Sequence, residues 1–361
     1  MGKTRLLIVS DAWKPQCNGV VTTLTATLPF LDALGFEVTL LTPESFRTLP
    51  CPRYPEIRLA ITTTHEVGER IRQAQPDCVH IVTEGPLGIL ARRYCGAAGV
   101  SFTSAFRSRY AEYLKLYIRI PLALTYSGMR WFHRAASRVM VTSEVLAHEL
   151  KSRGFRNLWL WPPGVDTDVF QPQEGSRLDF PRPIMLYVGR IAVEKNVEAF
   201  LDANVRGTKV IVGDGPYLDA LRSAYPQARF VGRKSGSELA QYYSGADVLV
   251  FPSRTDTFGL VMLEALACGT PVAAYPEQAP LAAIGHSGAG CLSDDLSSAI
   301  RGALEIPSDR CRAYALNYSW SNSALMMAEG LVPCQRDVTL GRNSVAASQS
   351  ATPEHFGELA P

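Results

Sequence analysis

Two carboxylates in the second half of the chain stand where a carboxylate needs a reason. In "FPSRTDTFGLVMLEALACGTPVAAY", residues 251–275, Asp256 lies three residues ahead of Gly259. Glu264 sits inside an apolar run, with Leu260, Val261, Met262 and Leu263 before it and Ala265, Leu266 and Ala267 after. A desolvated, unpaired carboxylate costs on the order of several kcal/mol, so Glu264 must reach a wet edge, become protonated or meet a partner. From Gly259 onward the stretch reads as a buried helix. The free N–H groups near Thr257, Phe258 and Gly259, with the positive end of the helix dipole, would then face whatever Asp256 faces. Such a site favours an anionic leaving group. Two carboxylates there can accept hydrogen bonds from sugar hydroxyls, and Glu264 is near enough to the helix start to take both hydroxyls of a ribose. The plainer alternative makes Asp256 a helix-start acid and sends Glu264 to solvent or to an arginine.

Three further loops carry compatible chemistry. In "YVGRIAVEKN" a strand ends at Gly189 and is followed by Arg190 and, five residues on, Lys195. A forked guanidinium and a compact ammonium at one strand mouth suit a diphosphate, although either residue taken singly is more often solvated surface charge. In "SDAWKPQCNGVVTTLTATLPFL", Asn18 and Gly19 open a helix whose backbone N–H groups could approach a phosphate or a sugar, or simply make a turn. "VGDGPY" offers Gly213 and Gly215, half of a dinucleotide fingerprint, but Pro216 follows and the third glycine is missing, which disfavours a nicotinamide enzyme. A tight turn near a nucleotide base stays open. No metal cluster is expected, since the six histidines are scattered and "GVDTDVF", with Asp166 and Asp168, reads as the domain-crossing turn, where these acids would cap.

The elements that must position these loops alternate between short β-rich runs and helical stretches, the pattern of parallel sheets covered on both faces. Strands are expected at 5–11, 37–43, 78–83, 102–106, 138–143 and 158–162, and again at 184–190, 209–215, 229–233, 247–253 and 271–275. Between the two sets "QPQEGSRLDFPRP", residues 171–183, reads as a linker. The expected fold class is therefore α/β, two doubly wound, Rossmann-like parallel-sheet domains at 1–170 and 184–332, with a mobile tail at 333–361. In such sheets ligands bind beyond the carboxyl ends of the strands, so the two domains would face each other across a cleft.

Composition narrows the class. A chain of 361 residues, 47% hydrophobic and 19% charged with net charge +2, is a globular protein and not an evident nucleic-acid binder. Eight cysteines without a CxxC spacing read as reduced thiols of a cytoplasmic protein. No signal peptide, myristoylation pattern or membrane span is expected. Between Ala105 and Met140 lie Arg107, Arg109, Lys115, Arg119, Arg130, Arg134 and Arg138 against one acid, Glu112, interleaved with Tyr110, Tyr113, Tyr117 and Trp131. Such a surface suits anionic lipid head groups on the inner face of a membrane, or forms a basic rim for a soluble glycan. His80, His133 and Trp161 are read as packing or rim residues.

The motifs "PQCNGV", "WPPGVDTDVF", "VGRIAVEKN", "VGDGP" and "GADVLVFPSRTDTFGLVMLEALACGTPV", in this order, resemble the retaining nucleotide-sugar glycosyltransferases of the GT-B fold, specifically glycosyltransferase family 4, over roughly residues 4–330. Within that family the chain is similar to bacterial α-mannosyltransferases and glycolipid-forming relatives. The resemblance implies transfer of a mannose- or glucose-type hexose from a nucleotide diphosphate sugar, GDP-mannose or a UDP-sugar, to a hydroxyl of a lipid or glycan acceptor. No other cofactor and no nucleic-acid partner is implied. Arg190 and Lys195 would hold the diphosphate, Glu264 the ribose and Asp256 the sugar hydroxyls, with Gly19, Gly189, Gly213, Thr257, Phe258, Gly259 and Leu260 completing the donor site. Asp256, Arg190, Lys195 and Arg107 form the expected catalytic set, and Arg109, Lys115 and Arg119 the acceptor or membrane set. Two positions depart from the pattern. Asp256 replaces the more usual Glu, and Arg107 stands where relatives commonly carry His beside the reacting sugar. Because Arg does not exchange protons near neutral pH, a non-catalytic nucleotide-sugar binding protein is the alternative reading.

Overall fold

The computed structural model describes residues 2–16, 18–51, 54–107, 121–173, 175, 178–256, 258–285 and 287–334. Thr257, Arg109, Lys115, Arg119 and the tail from 335 onward lie outside the described residues.

In chain order the first half contributes β1 (Thr4–Val9), β2 (Phe36–Leu41), β3 (Arg47–Cys51), β4 (Tyr54–Ile61), β5 (Cys78–Ile81), β6 (Thr103–Phe106), β7 (Arg138–Val141) and β8 (Leu158–Leu160). The second contributes β9 (Ile184–Val188), β10 (Thr208–Val212), β11 (Arg229–Gly232), β12 (Val248–Phe251), β13 (Val272–Ala274) and β14 (Gly290–Leu292). Two six-stranded sheets result, ordered β2-β1-β5-β6-β7-β8 and β11-β10-β9-β12-β13-β14. Every pairing in them is parallel. Parallel strands lose both faces to helices, which is why all of Ile184–Val188 and all of Val248–Phe251 are buried. The two-domain α/β expectation is met.

Each sheet reverses its winding once, between β1 and β5 in the first and between β9 and β12 in the second. A crevice opens at such a switch point beyond the strand ends. The loops after β1, β9 and β12 carry Gly19, Arg190 with Lys195, and Asp256, so strand order alone gathers the sequence candidates.

Three features differ from the sequence reading. The antiparallel hairpin β3–β4 was not expected; Pro50, Pro52 and Pro55 disguise it, since proline reads as a strand breaker away from edges. The short edge strand β14, Gly290–Leu292, was not expected either, since "GAGCLS" shows neither a β-branched run nor an alternation. The chain crosses at "GVDTDVF", the turn at which the sequence placed the crossing, so the segment 171–183 read as a linker already lies on the second domain's side. Val165 already belongs to the second core, with Phe170, Leu178 and Phe180 packed against it. The chain then returns, and Met327 and Leu331 bury themselves with Leu6, Ile8 and Leu24 of the first domain. Outgoing and returning strands run side by side. Val165 N–H donates to Tyr318 O at 3.0 Å, and a Cβ on Gly164 would stand 2.5 Å from Trp320 N. Arg312 clasps the crossing by donating to Phe170 O, Thr167 O and Ala267 O.

Candidate functional site

Three of the expected site residues meet at the switch point of the second sheet. Lys195 closes a short 3₁₀ turn after β9, and its Nζ lies 2.5 Å from Asp256 Oδ1, in the loop after β12. Both side chains are mostly covered, at 18% and 16% exposure. The two loops are stitched by Asn196 Nδ2 donating to Pro252 O at 3.1 Å and Thr255 Oγ1 donating to Glu194 O at 3.3 Å. Asn196 itself takes a left-handed conformation, φ 54°, which asparagine tolerates better than most side chains. Burial alone would push the Asp256 carboxyl up, but the charge and hydrogen bond of Lys195, the nearby Ser253 hydroxyl and the charge of Arg190 together hold it below its usual value. Asp256 is thus an anion across the ordinary pH range. Its second oxygen, Oδ2, and the Ser253 hydroxyl are both buried and lie close enough for the hydroxyl to act on the carboxylate, though outside ideal hydrogen-bond geometry.

Beneath this pair, Tyr187 O–H donates to Arg190 O at 2.8 Å. Burial keeps its phenol well above the usual value, against the lowering effect of the Lys195 charge, so it remains a neutral donor that fixes the Arg190 backbone. The glycines of the neighbouring loops serve close backbone approach. A Cβ at Gly213 would fall 1.9 Å from Gly189 O, and Gly213 has φ 149°. Gly213 therefore lets two strand ends touch, a packing role the sequence reading did not assign.

Glu264 behaves differently from Asp256. It lies on the helix Leu260–Ala267, which starts behind Gly259, φ 82°, a position where a Cβ would meet the Phe251 ring at 2.8 Å. Its partner within the protein is Tyr243, whose O–H donates to Oε2 at 2.8 Å. Burial raises the Glu264 carboxyl to about 7, against the lowering effect of the Tyr243 hydrogen bond. Equal burial thus yields opposite outcomes, since Asp256 has a cation beside it and Glu264 has a phenol.

From the first domain, Asn18 caps the helix Gly19–Ala33, its Oδ1 accepting from the N–H groups of Val20 and Val21 at 3.0 and 3.1 Å. A Cβ on Gly19 would lie 3.8 Å from Leu260 Cδ1, so the two helix starts meet across the domain junction. Arg107, following β6, stacks its guanidinium 3.7 Å over the Trp161 ring and reaches Trp161 O and Thr23 Oγ1 at 3.4 and 3.5 Å. Burial lowers it to about 9, still far enough above neutrality to keep it a cation.

His80 is buried with Nδ1 2.8 Å from Thr103 Oγ1, and is pushed down to about 3 by burial and by Arg107, so it is neutral. His133 bridges Ser104 Oγ and Glu84 Oε1 at 2.8 and 3.1 Å. That trio has the composition of a nucleophile relay, but Ser104 is 0% exposed and no substrate reaches it. Asp166 Oδ1 accepts from the N–H groups of Asp168 and Val169, the capping turn the sequence suggested. No group of three metal-ligating side chains occurs among the described residues. A hollow of about 610 Å³ under Arg182, Asp247 and Pro271 lies at the opposite, amino-terminal ends of the strands, away from these loops.

Sequence reasoning missed Tyr243, Ser253, Tyr187 and Asn196. Asn196 had a signal, an asparagine directly after a short basic turn. Tyr243 had none, because its pairing with Glu264 depends on how two helices pack.

Comparison with known proteins agrees with this architecture. Residues 17–169 match the family model described as Glycosyltransferase Family 4, and residues 182–306 the model described as Glycosyl transferases group 1. The sulfoquinovosyl transferase of Arabidopsis thaliana is 31% identical over 275 residues, 68% of this chain and 54% of that protein. The match thus spans about half of that relative. A GDP-mannose-dependent alpha-mannosyltransferase of Mycobacterium tuberculosis is 29% identical over 75% of this chain and 78% of its own length. A sucrose-phosphate synthase from Thermosynechococcus elongatus superposes with TM-score 0.71 at 21% identity, covering 91% of this chain and 98% of its own.

Proposed function

Because this chain belongs to glycosyltransferase family 4 and is a hexosyltransferase of the GT-B fold, we propose that it moves a mannose- or glucose-type hexose from GDP-mannose or a UDP-sugar to a hydroxyl of a lipid or glycan acceptor, retaining the anomeric configuration. The observation that carries the reading is the mostly covered Lys195–Asp256 pair, with the Ser253 hydroxyl close to the carboxylate, at the switch point beside Arg190. The Asp256 carboxylate and the Ser253 hydroxyl supply an acceptor and a donor for sugar hydroxyls, while Lys195 and Arg190 offer cations to a diphosphate.

In this proposal the acceptor hydroxyl attacks the anomeric carbon from the side on which the donor phosphate leaves. The bond to the phosphate oxygen breaks and that oxygen takes the proton. The protein then contributes positioning and electrostatics: Lys195, Arg190 and the N–H groups opening the helix Leu260–Ala267 stabilise the charge growing on the diphosphate. Glu264 accepts from the ribose hydroxyls. Arg107, held as a cation on Trp161, orients a neighbouring oxygen or anion and transfers no proton.

For the acceptor, the surface around the helix Leu122–His133 supports a lipid-borne hydroxyl. Leu124 and Trp131 are 66% and 43% exposed, and Arg92 stacks 3.7 Å from the Trp131 ring with Arg130 and Arg134 on the same helix end. Cations around exposed apolar tips suit anionic lipid. No helix among the described residues is long and apolar enough to cross a membrane.

A thermal-shift screen against GDP, UDP and their hexose conjugates, followed by transfer assays with the nucleotide that binds, tests the reading. Selective stabilisation by one nucleotide family and donor-dependent transfer are expected. Absence of stabilisation by every nucleotide would overturn it, and tight binding without turnover would favour the binding-protein alternative.

A further inference from the structure

Between the helix Gly19–Ala33 and the first sheet lies a buried polar layer that the donor-side chemistry does not use. His80 on β5, Thr103 on β6, Thr23 on the helix and Trp161 just after β8 form it. Arg107 closes the layer, stacked 3.7 Å over the Trp161 ring. It donates to Thr23 Oγ1 at 3.5 Å, and that hydroxyl in turn donates to Gly19 O at 2.7 Å. Two nitrogens of the layer, His80 Nε2 and Trp161 Nε1, are buried with no partner in hydrogen-bond geometry among the described residues. Their rings cross at 76° with centroids 5.6 Å apart. Buried polar atoms are rarely left alone, and packing by itself would be served as well by phenylalanine, which strands none.

Thr103 decides what His80 Nε2 is. The Thr103 hydroxyl donates to Val79 O at 3.3 Å, so its oxygen is left to accept from His80 Nδ1–H at 2.8 Å. A neutral imidazole carries one N–H, and Nε2 is then a bare lone pair, whereas the indole Nε1–H of Trp161 only donates. Burial, and then the charge of Arg107, keeps the imidazole neutral and that lone pair available. An acceptor and a donor thus border one layer, and a single water taking the indole proton and giving one of its own satisfies both. An indole tethered in this way cannot tilt, and a planar guanidinium lying on it keeps its attitude. We infer that His80 is a positioning residue for Arg107: its Nε2 lone pair, through one buried water, fixes the Trp161 indole on which the guanidinium rests. The inference rests on the transferase reading, in which Arg107 orients an oxygen or anion at the reaction centre.

Two substitutions in the full chain divide the imidazole between its nitrogens. His80→Asn keeps a donor for Thr103 and removes Nε2, while His80→Gln keeps a polar atom where Nε2 stands. With donor and acceptor saturating, His80→Asn is expected to lose about tenfold in turnover, short of the roughly hundredfold that a 1 Å misplacement can cost. Its KM for the donor should stay at the parent value, since the donor is held by the other domain, and His80→Gln should recover most of the rate. Urea denaturation reports that each variant is folded and supplies two double-mutant cycles. His80→Asn combined with Trp161→Phe, or with Arg107→Lys, should lose less stability than the two single losses added together, because each pair removes parts of one assembly. Nitrogen-15 NMR of the parent chain, which needs no variant to fold, should show Nδ1 protonated and Nε2 bare, unchanged between pH 5 and pH 8. Parent turnover in His80→Asn, an equal loss in His80→Gln, additivity in either cycle, or a protonated Nε2 would each overturn the inference while leaving the transferase reading intact. Absence of transfer by the parent chain with every nucleotide sugar overturns both.

Discussion

Replacing Glu264 by Gln separates the energetic burden of this carboxylate from its use. In the folded chain the group titrates at about 7 instead of its ordinary 4.5, chiefly because it is buried. Each pH unit of displacement is worth about 1.4 kcal/mol, so ionised Glu264 costs the empty fold on the order of 3 kcal/mol. The sign follows from proton counting. Between the unfolded and folded values the native state holds more protons, so its stability is greatest below about 4.5, declines as pH rises to about 7, and is level above that. Urea denaturation at pH 5 and pH 8 should show the parent losing on the order of 3 kcal/mol relative to Glu264→Gln over that interval, the difference cancelling carboxylates common to both. Nucleotide binding should run the other way. Two ribose hydroxyls donate to a carboxylate and not to a carboxylic acid's proton-bearing oxygen, so binding should ionise Glu264. At pH 6 about 0.9 proton should be released per bound GDP or UDP, measured by calorimetry in two buffers of different ionisation enthalpy. The variant should bind more weakly and release none of that proton. Identical proton release by parent and variant would refute the assignment of Glu264 to the ribose. Identical pH dependence of stability would refute the burial argument itself.

Other consequences are more compact. Lys195→Ala should reduce turnover about a hundredfold with both substrates saturating, the size of losing one preorganised contact to a leaving group, and a rate within twofold of the parent would remove Lys195 from the mechanism. Tyr243→Phe deletes the hydrogen bond that lowers the Glu264 carboxyl, so the proton-release window should move above pH 7 and stability should fall by about 1 kcal/mol. Gly213→Ala places a methyl within 1.9 Å of Gly189 O; on the order of 2 kcal/mol or more of stability should be lost, visible as a lower urea midpoint. Arg107→Lys gives up the planar stack on Trp161, and a loss of about 1–2 kcal/mol is expected in thermal unfolding with the cation retained.

What the amino-acid order disclosed and what it hid divide along the range of the interactions. The parallel sheets were legible because a buried parallel strand needs a continuous apolar run, and Ile184–Val188 and Val248–Phe251 are such runs. Strand order then did the assembling: β9 and β12 are neighbours, so residues just past their ends, Lys195 and Asp256, had to meet although 61 positions separate them. The hairpin β3–β4 escaped because its prolines occupy edge positions that a period-two search rejects. The crossing turn itself was legible at "GVDTDVF", but its contact with the returning segment at Tyr318–Trp320, which closes on Gly164 and Val165, depends on the fold.

Glu264 marks the sharpest division. Its oddity was visible as a charge in an apolar helix, and a ribose was inferred as its partner from the neighbouring loops. The fold adds Tyr243, which gives the carboxyl one hydrogen bond in the unliganded state and so avoids leaving a bare charge in the core. One neutral donor is too little to bring the group back to its ordinary titration range, whereas the adjacent ammonium is enough for Asp256. A site built this way keeps one carboxylate permanently charged, beside the cations that a diphosphate needs. The other stays poised near neutrality until a ligand with hydroxyl donors arrives. Affinity for the nucleoside should therefore climb through pH 7 while the Lys195–Asp256 pair stays charged, two pH responses from one cleft.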